Sequence, residues 1–203
     1  MYFALNKNGM LYSMLIRQNI RLYIRNIRNR LMSYEKKKAS LKIAQHIFQY
    51  EMMNRVKNVA LFLSFDGEIG TESLIIKLWE KNINVYLPVL DKFNVKNLLF
   101  VKYNENTSLK LNKLNFFEPI NVIDGKILLD KLDIIFVPLV AFNKKGYRLG
   151  MGGGFYDFIL KDWQKNNFLP IGLAYNFQLV SNFPIFPWDV PLPVIITPTT
   201  LWK

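Results

Sequence analysis

"LDIIFVPLVAFNKKGYRLGMGGGFYD", residues 132–157, joins the most apolar run of the chain to its densest glycine cluster. From 132 to 142 there is no sustained polar alternation, and a continuous apolar run reads as a central strand covered on both faces, as in a parallel sheet with helices on either side. Behind it, Gly146, Gly150, Gly152, Gly153 and Gly154 place five of the chain's ten glycines within nine positions. Glycine is costly to order, so such a cluster marks backbone that turns sharply or approaches a ligand closely. "FYDFILKDW" (155–163) then reads as a helix and "LPIGLAY" (169–175) as the next strand.

Upstream, "VALFLSF" (59–65), "TESLIIKLWEK" (71–81) and "INVYLPV" (83–89) read as strand, helix and strand, a parallel unit with a right-handed crossover. "KNLLFVKY" (96–103) adds a strand. Before these lie two helices. The first, from Met14 to Leu31, sets Ile16, Ile20, Tyr23, Ile27 and Leu31 on one face and Arg17, Arg21, Arg25 and Arg28 on another. The second opens at Ser33 and runs to about Met53. Residues 183–198 hold five of the nine prolines and read as extended loop, with "VIIT" as a last strand. The expectation is a single three-layer α/β domain over 1–203, its largely parallel sheet flanked by helices, with 1–13 as a disordered extension and Met14 as an alternative start.

Composition narrows the chemistry. The chain has 203 residues, 51% of them hydrophobic, yet no apolar run approaches the ~18 residues of a membrane span. It contains no cysteine and one histidine, which removes thiolate chemistry and argues against His-rich metal sites and Ser–His pairs. His46, set among apolar residues in "AQHIFQY", reads as structural. A net charge of +12 invites a nucleic-acid partner. The basic residues are nonetheless spread along the whole length, and a solvated basic surface is the stronger reading. No signal peptide is evident, so the expected compartment is the cytoplasm.

The glycine loop lies between a buried strand and a helix, where open α/β sheets bind ligands. Gly152, Gly153 and Gly154 would let backbone close on a phosphate, and Arg148 adds a positive charge. Neither the Walker pattern nor the dinucleotide fingerprint is present, since no Gly-Lys-Ser/Thr occurs and Phe155 stands at the third glycine position. Asp157 would repel a polyphosphate unless a cation such as Mg2+ bridged them, with Asp189 in "PWDVP" as a second carboxylate. The alternative is a glycine-rich structural turn with Asp157 facing the helix dipole.

"VPLVAFNKKGYRLGMGGGFYD" resembles the signature of the 5-formyltetrahydrofolate cyclo-ligases, or methenyltetrahydrofolate synthetases. The likeness runs from about Arg17 to Thr197 and takes in the Arg-bearing first helix, "FLSFDGEIGTESLI" and "PWDVPL". It implies an ATP- and Mg2+-dependent cyclisation of 5-formyltetrahydrofolate to 5,10-methenyltetrahydrofolate, releasing ADP and phosphate, by a cytoplasmic monomer that binds neither nucleic acid nor membrane. By the same resemblance ATP would lie on Arg148, Leu149, Gly150, Met151, Gly152, Gly153, Gly154, Phe155 and Tyr156. Arg17 and Arg21 would hold its phosphates, Asp157 and Asp189 would hold Mg2+, and Arg148 and Asp157 would be catalytic. Folate would contact Leu63 and Glu68 with the stretch Met151 to Phe155. The chain departs from the family pattern at Arg17, Gly153, Phe155 and Phe158, where Lys, Lys, Tyr and Arg are common, and by one inserted residue between Arg28 and Ser33. The competing readings are an ATP-dependent ligase or kinase acting on another small molecule, and a basic nucleic-acid-binding module.

Overall fold

The computed structural model describes residues 7–91, 94, 97–122 and 125–203. Helix α1 (Lys7–Arg30) is followed by α2 (Ser33–Ile47), strand β1 (Asn58–Ala60), α3 (Glu72–Glu80) and β2 (Asn84–Leu90). Then come β3 (Leu98–Tyr103), the hairpin of β4 (Leu109–Leu111) and β5 (Phe117–Pro119), β6 (Lys126–Ile127) and β7 (Ile134–Pro138). A second hairpin, β8 (Ala141–Phe142) and β9 (Arg148–Leu149), leads to α4 (Phe155–Leu160), and β10 (Leu169–Leu173), β11 (Val194–Ile196) and β12 (Leu201–Trp202) complete the chain.

Eight strands form the main sheet in the order β12-β11-β10-β7-β1-β2-β3-β6. Its centre, from β11 through β10, β7 and β1 to β2, is parallel. Its margins, β12 on one side and β3 and β6 on the other, are antiparallel. The period-2 alternation of a strand sends Ile134 and Phe136 to one face of β7 and Ile135 and Val137 to the other. On the first face they meet Ile43, Ile47, Leu74 and Leu78 of α2 and α3; on the second they meet Ile159 and Leu160 of α4. The three layers follow from a central strand that is apolar on both sides.

Several boundaries differ from the sequence reading. The run 132–142 is not one strand. After Pro138 the chain leaves the sheet, the Val140 N–H donates to the Leu149 carbonyl, and Ala141 and Phe142 pair with Leu149 and Arg148. Helix α1 includes residues 7–13, so this part of the expected disordered extension is helical; residues 1–6 lie outside the described residues. Helix α2 ends at Ile47, and a separate turn of 3-10 helix spans Glu51–Met53. The strand expected over 96–103 begins at Leu98, with Lys96 outside the described residues.

His46 bonds the Thr197 carbonyl at 3.1 Å and the Tyr50 hydroxyl at 2.7 Å, tying α2 to the chain just after β11. Among the described residues no helix is long and apolar enough to cross a membrane.

Candidate active site

Strands β1 and β7 are neighbours, but their onward connections diverge: β1 leads through α3 on one face, and β7 leads through α4 on the other. A crevice at the carboxyl ends of such a strand pair is a general ligand site in open α/β sheets. Here it is a cavity of about 690 Å3, lined by Phe65, Asp66 and Glu68 after β1, Pro138 and Leu139 at the end of β7, and the glycine loop before α4. Arginines of α1 and the tip of the β4–β5 hairpin complete its walls.

The orientation of α1 departs in part from the expected amphipathic reading: Ile20 and Leu31 do pack against apolar clusters, but they are not the most buried residues of the helix. Arg17 and Arg28 are buried on the inward side with Ser13 and Ile24, whereas Tyr23 is 66% exposed. Cations on a buried face need partners, and each finds one. The Arg17 guanidinium donates to both oxygens of Asp189, at 2.6 and 2.9 Å, and lies over the Phe186 ring. Asp189 also accepts the Phe186 N–H at 2.8 Å. Arg25 donates through Nε to Asp66 at 2.6 Å, and Arg28 donates to the same carboxylate at 2.8 Å.

Arg21 is the exception. Its Nε donates to the Gly150 carbonyl at 2.7 Å, a neutral partner, and no carboxylate among the described residues lies within ion-pair distance. Burial, and then the like charge of Arg17, pull its pKa below the usual arginine value. An arriving anion would relieve both the desolvation and the repulsion.

The glycine loop is open toward the same space. A methyl group added at Gly150, Gly152 or Gly154 would meet nothing within 4 Å, and Gly152 has a φ of +111°, which other residues rarely adopt. The β8–β9 hairpin brings Arg148 beneath the loop, where its guanidinium donates to the Val190 carbonyl at 2.7 Å and to Asp157 Oδ1 at 2.8 Å. Burial lowers the pKa of Arg148, and Asp157 opposes that shift. Helix α4 has only six residues, shorter than the 155–163 expected, so its dipole adds less than the reading assumed.

Glu68 is 6% exposed and accepts one long bond, from the Phe65 N–H at 3.4 Å. Burial pushes its carboxyl up to about 7, while the Arg28 charge and that N–H act in the opposite direction. Tyr156 is pushed up by burial and by the nearby Glu68. The cavity therefore presents a carboxyl that titrates near neutrality, with little protein hydrogen bonding to it.

Of the residues expected at the site, Arg17, Arg21, Glu68, Arg148, Gly150 to Tyr156 and Asp157 line this one cavity. Leu63, Leu149 and Asp189 do not: Leu63 and Leu149 pack into the core, and both oxygens of Asp189 face Arg17. Among the described residues no group of three or more His, Asp or Glu gathers closely enough to hold a metal by protein ligands alone. Asp157 can serve as one ligand, since its Oδ1 takes the recorded bond from Arg148 and Mg2+ commonly needs only one or two carboxylates beside phosphate oxygens. Arg25, Phe65, Asp66 and the hairpin residues Leu114 to Phe116 were missed by the sequence reading. Arg25 had a legible signal in its place on the arginine ridge of α1, and Phe65 and Asp66 in the family-like stretch that also holds Glu68; the hairpin residues had none.

Over most of its length the chain is similar to proteins of one family. The model of the 5-formyltetrahydrofolate cyclo-ligase family matches residues 14–198. A 5-formyltetrahydrofolate cyclo-ligase of Haemophilus influenzae is 49% identical over 176 residues, 87% of this chain and 94% of that protein. One of Escherichia coli is 41% identical over 180 residues, 89% of this chain and 99% of that protein. The solved structure of the Aquifex aeolicus 5,10-methenyltetrahydrofolate synthetase superposes with a TM-score of 0.79 at 26% identity, covering 93% of this chain and 92% of the other. With nearly its whole length matched at this level of identity, the chain belongs to the 5-formyltetrahydrofolate cyclo-ligase family.

Proposed function

We propose that the chain closes the imidazoline ring of 5,10-methenyltetrahydrofolate from 5-formyltetrahydrofolate, with ATP as the second substrate. The observation that carries this reading is the meeting, in one cavity, of Arg21 without a carboxylate partner, a glycine ribbon with open space above it, and the buried carboxyl of Glu68. The first two suit a polyphosphate. The third suits a pterin ring, whose amide and amino N–H groups form a donor edge that a carboxylate can accept.

Formyl oxygen is a poor leaving group. In the proposed reaction it attacks the γ-phosphorus of ATP, the bond from that phosphorus to the β-bridging oxygen breaks, and ADP departs. N10 of the folate then attacks the activated formyl carbon and gives up its proton, and the C–O bond breaks to release phosphate. No enzyme nucleophile takes part, as suits a chain without cysteine. The protein contributes positioning and charge. Arg21 and the loop amides hold the triphosphate, Arg148 fixes Asp157, and Glu68 orients the pterin.

Mg2+, bound by Asp157 and phosphate oxygens, would supply neutralisation of the charge on the transferred group. Asp189 would join as a ligand only by exchanging Arg17; otherwise it anchors that arginine. A site on one connected chain is consistent with a monomer acting on two small molecules.

The test is to mix the protein with Mg-ATP and 5-formyltetrahydrofolate and follow methenyltetrahydrofolate by its near-ultraviolet absorbance. ATP turnover should require the formylated folate. ATP hydrolysis indifferent to the folate would favour a ligase or kinase acting on another molecule, and salt-sensitive RNA binding indifferent to ATP would favour the nucleic-acid reading.

A further inference from the structure

Arg28 lies outside every role assigned so far. It is the largest fully buried side chain of the described residues, with 0% exposure. Its guanidinium reaches two of the segments that line the cavity. One terminal nitrogen donates to the Asp66 carbonyl at 2.9 Å and to the Asp66 carboxylate at 2.8 Å, and the other reaches the Leu139 carbonyl at 3.5 Å. Its Nε has no partner. The turn after β1 is pressed against this part of α1: at Gly67, with φ of +71°, an added methyl group would stand 2.6 Å from the Asn29 side chain and 3.1 Å from the Arg28 backbone.

We propose that Arg28 is a positioning residue for the folate substrate: it locks the Asp66–Glu68 turn to the end of β7 and so fixes where the Glu68 carboxyl stands in the cavity. The proposal rests on the ring-closure reading. A buried guanidinium that leaves one of its N–H groups unbonded is kept at a cost, and apolar packing would stabilise the fold better unless charge at that point is needed. Asp66 is already bonded by Arg25, so neutralising Asp66 does not require a second arginine.

The charged and titratable groups that act on Glu68 are few: Arg28 from α1, Asp66 on its own turn, Tyr156 from α4 and Tyr175 after β10. The Tyr175 hydroxyl donates to the Glu68 carbonyl at 3.3 Å and is itself acted on by Glu72. Arg28 is the cation among them. It is the source of charge that favours an ionised Glu68 able to accept both N–H groups of a pterin edge.

Arg28→Met and Arg28→Lys separate the two contributions. In R28M the KM for 5-formyltetrahydrofolate should rise roughly tenfold or more while that for Mg-ATP stays within about twofold. The acidic limb of kcat/KM for the folate should move to higher pH by roughly half a unit or more, because the cation is gone. R28K keeps the charge but not the fork, so its folate KM should rise while its acidic limb stays near that of the wild type.

If R28M loses melting temperature but keeps the wild-type folate KM and pH limb, Arg28 is only a structural anchor and the proposal fails. It fails equally if both substrates weaken together. Should R28M not fold, R28K decides alone: an unchanged folate KM overturns the proposal. A wild-type protein that does not convert 5-formyltetrahydrofolate sinks the ring-closure reading as well, whereas a competent wild type with an indifferent R28M sinks the positioning role alone.

Discussion

If Glu68 orients the pterin as proposed, it carries opposed demands, one from folding and one from the substrate. Burial holds its carboxyl at about 7, above the 4.5 of an unperturbed glutamate, so between those values the folded chain binds more protons than the unfolded one. The stability this lends is complete below pH 4.5 and is lost as pH rises through 7. Glu68→Gln should therefore be more stable than wild type at pH 8, by about 3 kcal/mol, with little difference at pH 4. Urea denaturation at both pH values measures this, and equal stability at pH 8 would mean that the carboxyl is not desolvated. The same variant should lose folate turnover, since the amide sets an N–H donor where the carboxylate offers a second acceptor oxygen to the pterin edge. Asp157 is a different case: it is partly exposed and bonded to Arg148, and Asn can keep that bond. Asp157→Asn should lower turnover roughly 10–100-fold and raise the Mg2+ concentration needed for half-maximal rate, with the fold intact by circular dichroism. Unchanged activity at limiting Mg2+ would remove Asp157 from the metal site.

At the scale of elements, α1 is fixed to the late loop by the buried Arg17–Asp189 pair. Removing one partner of such a pair leaves an uncompensated charge, so Asp189→Ala should cost about 3–5 kcal/mol of stability, read from denaturation midpoints. As an anchor, Asp189 should shift the ATP KM through Arg17 while leaving the Mg2+ requirement alone; a raised Mg2+ requirement would instead make it a metal ligand. The sequence displayed some elements clearly and hid others. Strands β1, β2, β7 and β10 were readable as short apolar runs buried on both faces, and helices α2 and α3 because their periodicity matches what they bury. The break at Leu139 was not, because residues 139–142 are buried whether they continue the strand or turn into the β8–β9 hairpin. The inward face of α1 was read only in part: Ile20 and Leu31 reach apolar clusters as periodicity leads one to expect, but Arg17 and Arg28 are buried beside them because each has a carboxylate partner, which periodicity does not show. The β4–β5 hairpin escaped because its strands are three residues long and half exposed, with little alternation to detect. Arg148, Glu68 and Asp157 could be picked out from one contiguous motif or from the family likeness. Phe116 could not, because it reaches Phe65 only through the fold.

For the whole molecule, the cavity is a meeting place of distant segments, and that has a thermodynamic consequence. Its walls come from α1, the turn after β1, the hairpin tip at 114–116, the end of β7 and the loop 150–157, so a bound ligand must cross-link elements far apart in sequence. A ligand that binds only the folded chain stabilises it by about 2.7 kcal/mol at a hundred times its Kd, which for a chain of this size is a rise of roughly 5–10 °C in Tm. Mg-ATP with a non-reactive folate analogue should therefore raise Tm in a concentration-dependent way. Hydrogen exchange in the bound state should slow in all of those segments at once, although they are separated by up to about 140 residues. The excess positive charge adds a second signature: part of the attraction to ATP is long-range, so its KM should grow between low and physiological salt more than that of the folate. Protection confined to residues 150–157, with α1 and the β4–β5 tip exchanging as in the free protein, would mean that the glycine ribbon binds nucleotide alone. The shared cavity, and with it the meeting of two substrates there, would then have to be given up.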